Sequence, residues 1–346
     1  MPVGFPAIIR SALLLCLLVS FSTLAQPSLV VSETEVWKID PLGTIDRVDY
    51  DFGGPSLQAS LRGTTGPLVS PDQKRIAFTR DNDLWILELG TMSSTRATKV
   101  GRPYTDKLAA VFVLLASWSA DSRKVLYYIE KGETEDPDGP GPDRELRKAP
   151  YGDHIYDLET QNSLANSLPG EFLAWLPDGD LLVKKGELEN AQLMRVHPGD
   201  KTGRLVLSEP GDYGQVELSH DGKQLMARRG AEIVRIDFVN GRMSTLAKGN
   251  WAEFQRPAYS PSGSHWSYLR QYPLNIRGRY GHELLADGVL VYRLDRDFSS
   301  YWIDDETLAI LVYEWKATKK RAWILVDRKT GKEKLSKPIT DGTGLK

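Results

Sequence analysis

The sequence has a single cysteine, Cys16, among 346 residues. Cys16 lies in a nearly continuous apolar run, residues 11–24, that follows Arg10, the first charged residue of the chain. A short apolar run after a basic residue, ending in small residues, is typical of a secretory signal peptide. We predict a signal peptide over residues 1–25, with an uncleaved anchor or a lipid-modified Cys16 as alternatives. The chain after cleavage then has no thiol, disulfide or cysteine metal site.

The sequence also lacks a strong net charge and a helical hydrophobic period. The formal net charge is -2, which does not indicate nucleic acid or a membrane surface as the partner. Hydrophobic residues make up 41% of the chain, enough for a sizeable core. No segment after the predicted signal has a long 3.6-residue period or the length of a membrane span, so we expect neither a helix-rich fold nor an integral membrane segment.

The sequence does contain a repeat. A polar turn rich in Ser, Pro, Asp and Gly precedes an apolar strand, a loop and a second apolar strand, and this order recurs. The turn spacings are 49, 57, 43, 41 and 43 residues. Four short strands with their turns need about 40 to 45 residues, which is the length of one propeller blade. The turns begin near Ser70, Ser119, Leu176, Ser219, Ser260 and Ile303.

These repeats predict an all-β fold, a six-bladed β-propeller of four-stranded antiparallel blades, with seven blades as the alternative. We divide the chain into a β segment over 26–65 that caps or completes the ring, a propeller over 66–339 and a tail over 340–346. Within 26–65, residues 34–48 are typical of the third and fourth strands of a blade without its first two. Repeats 1 to 6 span residues 66–101, 111–168, 170–208, 213–249, 252–294 and 299–339.

Two stretches resemble the WD40-like repeats of the TolB-type β-propeller family. They are "SPDQKRIAFTRDNDLWILEL", residues 70–89, and "SHDGKQLMARRGAEIVRIDFVNG", residues 219–241. Gln73 stands where the family's turn has glycine. The resemblance implies the propeller fold, a periplasmic setting and a protein partner. Residues 26–65 are too few for the α/β domain that precedes the propeller in TolB proteins, so the resemblance covers the propeller alone.

The best candidate for a binding site is a pair of long loops, since binding usually resides on long loops of a rigid scaffold. Residues 131–152 in repeat 2 and 271–288 in repeat 5 both follow a second strand. We expect them on the same face, on opposite sides of the channel mouth. The first loop is rich in acidic residues, whereas repeats 4, 5 and 6 contribute basic and aromatic ones. The predicted binding residues are Arg277, Arg279, Tyr280, His282, Trp315, Lys316, Lys319 and Arg321, with Arg228 and Arg229 nearby.

Signals for catalysis are weak. The sequence has no G-x-S-x-G or H-E-x-x-H motif, and Glu217 is the one acidic residue in the predicted first strands. Residues 136–143, "DPDGPGPD", make calcium possible but lack the closing glutamate of an EF-hand. Otherwise we expect no cofactor.

We therefore predict a periplasmic or secreted, non-catalytic propeller. It would bind a protein or a cell-envelope component, and no nucleic acid, through the face that carries the long loops. The alternatives are a hydrolase or lyase acting on a sugar or lactone with a cation in the channel, and an assembly scaffold.

Overall fold

The structure is a computed structural model that describes most of residues 28–339. The predicted signal peptide, the tail and most of the acidic loop, including residues 136–143, lie outside the described residues. The described ranges are 28–32, 35–52, 66–102, 109–133, 150–207, 209–238, 240–250, 253–274, 280–315 and 320–339.

All described sheets are antiparallel, and their strands follow chain order. The N-terminal sheet has three strands, and each of the six repeats forms a four-stranded sheet. The N-terminal sheet contains β1 (Ser28–Ser32), β2 (Glu35–Ile39) and β3 (Ile45–Arg47). Repeat 1 contains β4 (Leu68–Val69), β5 (Arg75–Arg80), β6 (Asp83–Glu88) and β7 (Ser93–Arg96). Repeat 2 contains β8 (Ala109–Trp118), β9 (Lys124–Glu133), β10 (Gly152–Asp157) and β11 (Asn162–Ala165).

The remaining repeats follow the same plan. Repeat 3 contains β12 (Glu171–Trp175), β13 (Leu181–Lys185), β14 (Gln192–Val196) and β15 (Arg204–Leu205), with a short 3-10 helix at Leu188–Asn190. Repeat 4 contains β16 (Tyr213–Leu218), β17 (Gln224–Arg229), β18 (Glu232–Asp237) and β19 (Arg242–Lys248). Repeat 5 contains β20 (Phe254–Tyr259), β21 (Trp266–Pro273), β22 (Tyr280–Ala286) and β23 (Val289–Leu294). Repeat 6 contains β24 (Phe298–Asp304), β25 (Thr307–Trp315), β26 (Lys320–Asp327) and β27 (Glu333–Pro338).

The first strand of each repeat is the innermost, because first strands of neighbouring repeats contact one another along the channel. This order gives the ring two distinct ends. At one end, which we call the turn face, lie the turns between first and second strands and between third and fourth strands. At the other end, the loop face, lie the connections between second and third strands and between repeats.

The N-terminal sheet completes the ring between repeat 6 and repeat 1. Trp37 packs edge-on against Trp323 of repeat 6, with ring centroids 6.0 Å apart. On the other side, Val36 shares a buried cluster with Ile76 and Phe78 of repeat 1. The all-β propeller is therefore confirmed, and its count corresponds to the seven-blade alternative: six complete blades plus one three-stranded sheet.

The direction of β1 shows which strands the N-terminal sheet supplies. The Ser28 hydroxyl donates to the Ile303 carbonyl at 2.9 Å, and the Leu29 N–H donates to Gln73 Oε1 at 3.1 Å. Ile303 and Gln73 both lie at the turn face, so β1 begins there, as second strands do. β2 and β3 are then third and fourth strands, as residues 34–48 predict, and the described part of this sheet includes no first strand.

The turns on the turn face share one hydrogen-bond network. In repeat 4 the Ser219 hydroxyl donates to Asp221 at 2.8 Å and accepts from the Gln224 N–H at 3.0 Å. Repeats 1 and 2 form the same bonds. Each of these serines is buried, so the network satisfies polar groups that water cannot reach.

One left-handed residue in each of these turns meets the preceding sheet. In repeat 4 it is Gly222, with φ +64°, and a Cβ there would lie 1.9 Å from Pro177 Cγ of repeat 3. In repeat 1 it is Gln73, with φ 57°, whose side chain accepts the hydrogen bond from Leu29. The departure from glycine at Gln73 therefore gains a bond to the N-terminal sheet.

Buried apolar clusters lie mainly between adjacent sheets around the ring. Among the residues that the structure describes, no helix is long and apolar enough to cross a membrane.

Candidate functional site

The two long loops are shorter than the sequence suggests, because their flanking strands continue into them. β21 and β22 pair as far as Pro273 and Tyr280, so the first and last parts of the expected loop of repeat 5 are strand. In repeat 2, β9 extends to Glu133. Both loops connect second to third strands and emerge on the loop face, as predicted. In a ring of seven sheets, a separation of three repeats places them across the mouth but not diametrically opposite.

The predicted binding residues that the structure describes have different surroundings. Tyr280 is 55% exposed on the loop face. His282 is buried, and its Nδ1 lies 3.3 Å from the Arg296 carbonyl oxygen. Arg321 donates to Glu35 of the N-terminal sheet at 2.9 Å and so helps to join repeat 6 to that sheet.

Of the remaining predicted binding residues, one lies at the end of a described strand and four lie outside the described ranges. Trp315 is the last residue of β25. Arg277, Arg279, Lys316 and Lys319 lie outside the described residues. The structure brings Tyr280 and Arg321 to the same face, and the assignment of these residues to a binding site stays a prediction.

A second group on the loop face involves the innermost strands themselves. β16 and β20 each contain a register shift, and at these shifts Gln215 and Arg256 adopt φ 48° and φ 49°. The two residues occupy equivalent positions in neighbouring repeats, and both are exposed. Left-handed residues other than glycine are uncommon, and they concentrate at functional sites, where the strain is maintained by the surrounding structure.

Hydrogen bonds link these two residues across three repeats. The Arg256 N–H donates to Gln215 Oε1 at 2.8 Å. The Arg256 guanidinium reaches repeat 6, where Nη1 donates to Ser299 Oγ at 2.5 Å and to the Phe298 carbonyl at 3.4 Å. Ser299 Oγ lies 3.0 Å from the Tyr313 hydroxyl. The side chains therefore form a continuous polar ridge at the channel mouth.

Arg228 lies beside this ridge. It is opposite Gly214 in the pairing of β16 with β17, and a Cβ at Gly214 would be 3.4 Å from Arg228 Nη2. The Arg228 guanidinium therefore lies against the innermost strand, next to Gln215. Its Nε is buried and has no hydrogen-bond partner within the described ranges. Neither Arg228 nor Arg256 forms an ion pair with any described carboxylate. We call these two residues the arginine pair.

Glu217 lies two residues beyond Gln215 on the same innermost strand. Its side chain is exposed, yet the protein around it desolvates the carboxylate and raises its pKa to about 7. Solvent access to the side chain opposes this desolvation.

The loop face is more acidic beside repeat 3. A pocket of about 600 Å³ opens between repeats 3 and 4, and one of about 770 Å³ opens between repeats 2 and 3. The linings of the two pockets include two cationic residues, Arg229 and Lys184, and five acidic residues. The described linings of these pockets are therefore acidic. The basic charge expected at repeats 4, 5 and 6 stays a prediction, because most of the residues that would carry it lie outside the described ranges. The acidic lining residues are Asp153, Glu171, Glu187, Glu189 and Asp212.

The described residues do not form a metal centre. No group of three His, Cys, Asp or Glu side chains among them could hold an ion. Two of the histidines pair with carboxylates instead: His197 with Asp180 at 2.9 Å and His265 with Asp287 at 2.8 Å.

Gln215 and Arg256 were not predicted as site residues. The available signal was positional: the two share one place in successive repeats, four residues before Ser219 and Ser260, where a first strand is otherwise largely apolar. Strand periodicity does not reveal the register shift that exposes them.

Comparison with known proteins identifies the fold only. No family model matches the chain, and no curated protein matches it. Among solved structures it is similar to an oligogalacturonate lyase in complex with manganese, with 13% identity over 85% of this chain and 82% of that one and a TM-score of 0.54. Porphyromonas gingivalis dipeptidyl peptidase 4 gives 16% identity, 91% and 50% coverage, and a TM-score of 0.51.

TolB from Acinetobacter baumannii gives 16% identity, 74% and 58% coverage, and a TM-score of 0.45. The chain thus spans little more than half of TolB and half of the peptidase. The TolB-type resemblance of the repeats applies at the level of the propeller fold.

Proposed function

We propose that this chain is an exported binding module whose loop face holds a protein partner over the channel mouth. The observation that carries the proposal is the polar ridge, in which two exposed left-handed residues, Gln215 and Arg256, are held in place by bonds between neighbouring repeats. A fold stabilised by its core does not need strained, exposed residues at this position, whereas a preorganised binding surface does.

The charge distribution on the loop face supports the same function. Acidic residues beside repeat 3 and the arginine pair of repeats 4 and 5 give the face an electrostatic direction. Complementary charge on a partner would then fix its orientation and increase its association rate. Export rests on the predicted signal peptide, and mass spectrometry of the exported protein should find a chain that begins near residue 26.

Site-specific photocrosslinking in cells of the source organism tests the binding face. One variant carries the photoreactive residue at Tyr280, which is 55% exposed on the loop face, and the matched control carries it at Val289, which is 60% exposed near the turn face. We expect one protein to be crosslinked from position 280 and not from position 289. Equal capture from both positions, or capture from 289 alone, would contradict the proposal.

A second candidate function is cleavage of an acidic polysaccharide, and Glu217 favours it. A carboxyl group on the innermost strand with a raised pKa can exchange protons near neutral pH. The similarity to an oligogalacturonate lyase fits this candidate as well. That structure contains manganese, whereas no group of three His, Cys, Asp or Glu side chains among the described residues of this chain could hold an ion.

The two candidates are separated by an activity assay. Purified protein is incubated with polygalacturonate, and chain shortening is followed by size-exclusion chromatography. If Glu217 acts as the proton acceptor or donor, Glu217→Gln should abolish shortening while Gln215→Asn, which keeps an amide, should retain it. Absence of shortening by the unmodified protein counts against this candidate.

A further inference from the structure

We infer that the arginine pair is a carboxylate-binding site that takes an acidic, extended segment of the partner. This inference rests on the proposed function and adds the chemistry of the ligand. It is carried by the hydrogen-bonding capacity that Arg228 and Arg256 leave unused at the channel mouth.

Arg256 has one edge of its guanidinium occupied and the other available. Its bonds to Ser299 and Phe298 both use Nη1. Nε and Nη2 have no hydrogen-bond partner among the described residues. A planar edge with two parallel N–H groups matches a carboxylate, which can accept both bonds at once. Because Nη1 is anchored and the backbone is fixed by Gln215, this edge is preorganised.

Arg228, in the neighbouring repeat, supplies a second donor. Its Nε is buried with no hydrogen-bond partner among the described residues, and burying a charged donor in this state is unfavourable. The position opposite Gly214 leaves room for the guanidinium along the innermost strand, where a larger residue would crowd it. An anion at the ridge would compensate this charge.

The placement of the pair favours an extended ligand with several carboxylates over a single small anion. Arg228 belongs to repeat 4 and Arg256 to repeat 5, so one ligand must span two sheets to engage both. Acceptors and donors between them, on Gln215 and Ser299, suit the backbone of a peptide. Acidic residues at repeats 2 and 3 would repel the same segment and so confine it to the side of the face that carries the arginine pair.

Binding of a fluorescent hexaglutamate peptide tests this inference. Fluorescence anisotropy is measured for the full chain and for Arg228→Gln, Arg256→Gln and Arg123→Gln. Arg123 is the matched control, because it is an exposed arginine on the turn face and its loss changes the net charge equally. We expect each loop-face variant to weaken binding by about tenfold, and the control to change it less than twofold.

Melting temperatures establish that every variant is folded, and one further variant tests the site without removing an arginine. Gln215→Glu places a carboxylate beside Arg256 and can still accept the bond from its N–H. We expect this variant to weaken peptide binding at least as much as Arg256→Gln. Unchanged binding in all three loop-face variants would overturn the inference.

Polygalacturonate serves as a second probe that separates acidic peptides from acidic polysaccharides. Binding of hexaglutamate that depends on both arginines supports the inference. Binding of polygalacturonate alone overturns it and favours the second candidate function. If position 280 crosslinks a protein while the arginine variants bind hexaglutamate normally, the inference is wrong and the proposed function stands.

Discussion

The two faces of the ring differ in how regularly their hydrogen bonds and backbone conformations recur from blade to blade. On the turn face, repeats 1, 2 and 4 form the same serine–aspartate network, and the left-handed position is glycine in repeats 3, 4 and 5. On the loop face, two innermost strands contain a left-handed residue other than glycine, Gln215 and Arg256, and each makes a different bond. The first face repeats one serine network, whereas the second has strained residues in two innermost strands and an arginine whose Nε has no partner among the described residues.

This difference distinguishes the contacts that stabilise the ring from the residues that are available to bind a partner. A contact repeated in several blades serves the fold, because every blade must be joined to its neighbour in the same way. A feature that occurs in only one or two blades, such as a left-handed residue other than glycine in an innermost strand, brings no apparent gain in stability. Such a feature points to a functional role. Substitutions on the turn face should therefore change stability, and those on the loop face should mainly change binding.

The largest effect is expected for Gly222→Ala. The new Cβ would lie 1.9 Å from the rigid Pro177 ring, and the left-handed backbone adds its own cost. We expect a loss of about 2–4 kcal/mol in the free energy of unfolding, measured by denaturant titration. The matched control is Gly179→Ala, which is also left-handed, with φ 88°, but has no atom within 4 Å of its Cβ and should lose about 1 kcal/mol. Equal losses would contradict the role assigned to the contact between repeats.

A smaller loss is expected for Ser219→Ala. The buried hydroxyl bonds both Asp221 and the Gln224 N–H, and its removal leaves these groups without their partner. We expect a loss of about 1–2 kcal/mol in a thermal or denaturant unfolding experiment. Ser244→Ala, at an exposed position with one long hydrogen bond, is the control and should be close to neutral.

The turn network also predicts a dependence on acid. The hydrogen bond from Ser219 is the main reason that the pKa of Asp221 is lowered from 3.8. A lowered pKa stabilises the fold above the unfolded-state value, and this contribution is lost as the pH falls through the folded-state value. Asp221→Asn should therefore lower the melting temperature at neutral pH, and the difference should shrink as the pH falls from the unfolded-state value of 3.8 through the lowered folded-state value. A difference that is constant with pH would indicate that the charge of Asp221 is irrelevant.

The sequence predicts the turn face well because its features are local. A tight turn needs particular residues, such as Gly222 at positive φ, and these recur at fixed spacing. The same reasoning identified residues 34–48 as third and fourth strands. It did not find β1, whose five residues follow directly after the predicted signal and carry no turn motif of their own. The count of sheets depends on such a segment, so the main expectation of six was one short.

The loop face is less predictable because its site depends on contacts between repeats. Arg321 resembles a binding residue in the sequence, but in the structure it pairs with Glu35, 286 positions away. Arg256 has no motif, yet the register shift in β20 exposes it and Ser299 anchors it. Neither pairing can be read from spacing along the chain.

The smallest predicted effect concerns Glu217, whose carboxyl group lies four residues before that of Asp221 but in a different environment. Asp221, on the turn face, has a lowered pKa, whereas desolvation raises that of Glu217 on the innermost strand. A raised pKa means that ionisation of Glu217 costs stability as the pH rises from its unfolded-state value near 4.5 through its folded-state value. Glu217→Gln should therefore raise the melting temperature at pH 8, by no more than about 2 °C because the side chain is solvent-accessible, and should have no effect below about pH 4. Thermal unfolding of both proteins across this range checks the sign. If the increase in melting temperature persisted at low pH, the amide would act through packing and not through the loss of charge. Glu217 would then have a structural role, like the buried serines of the turn face.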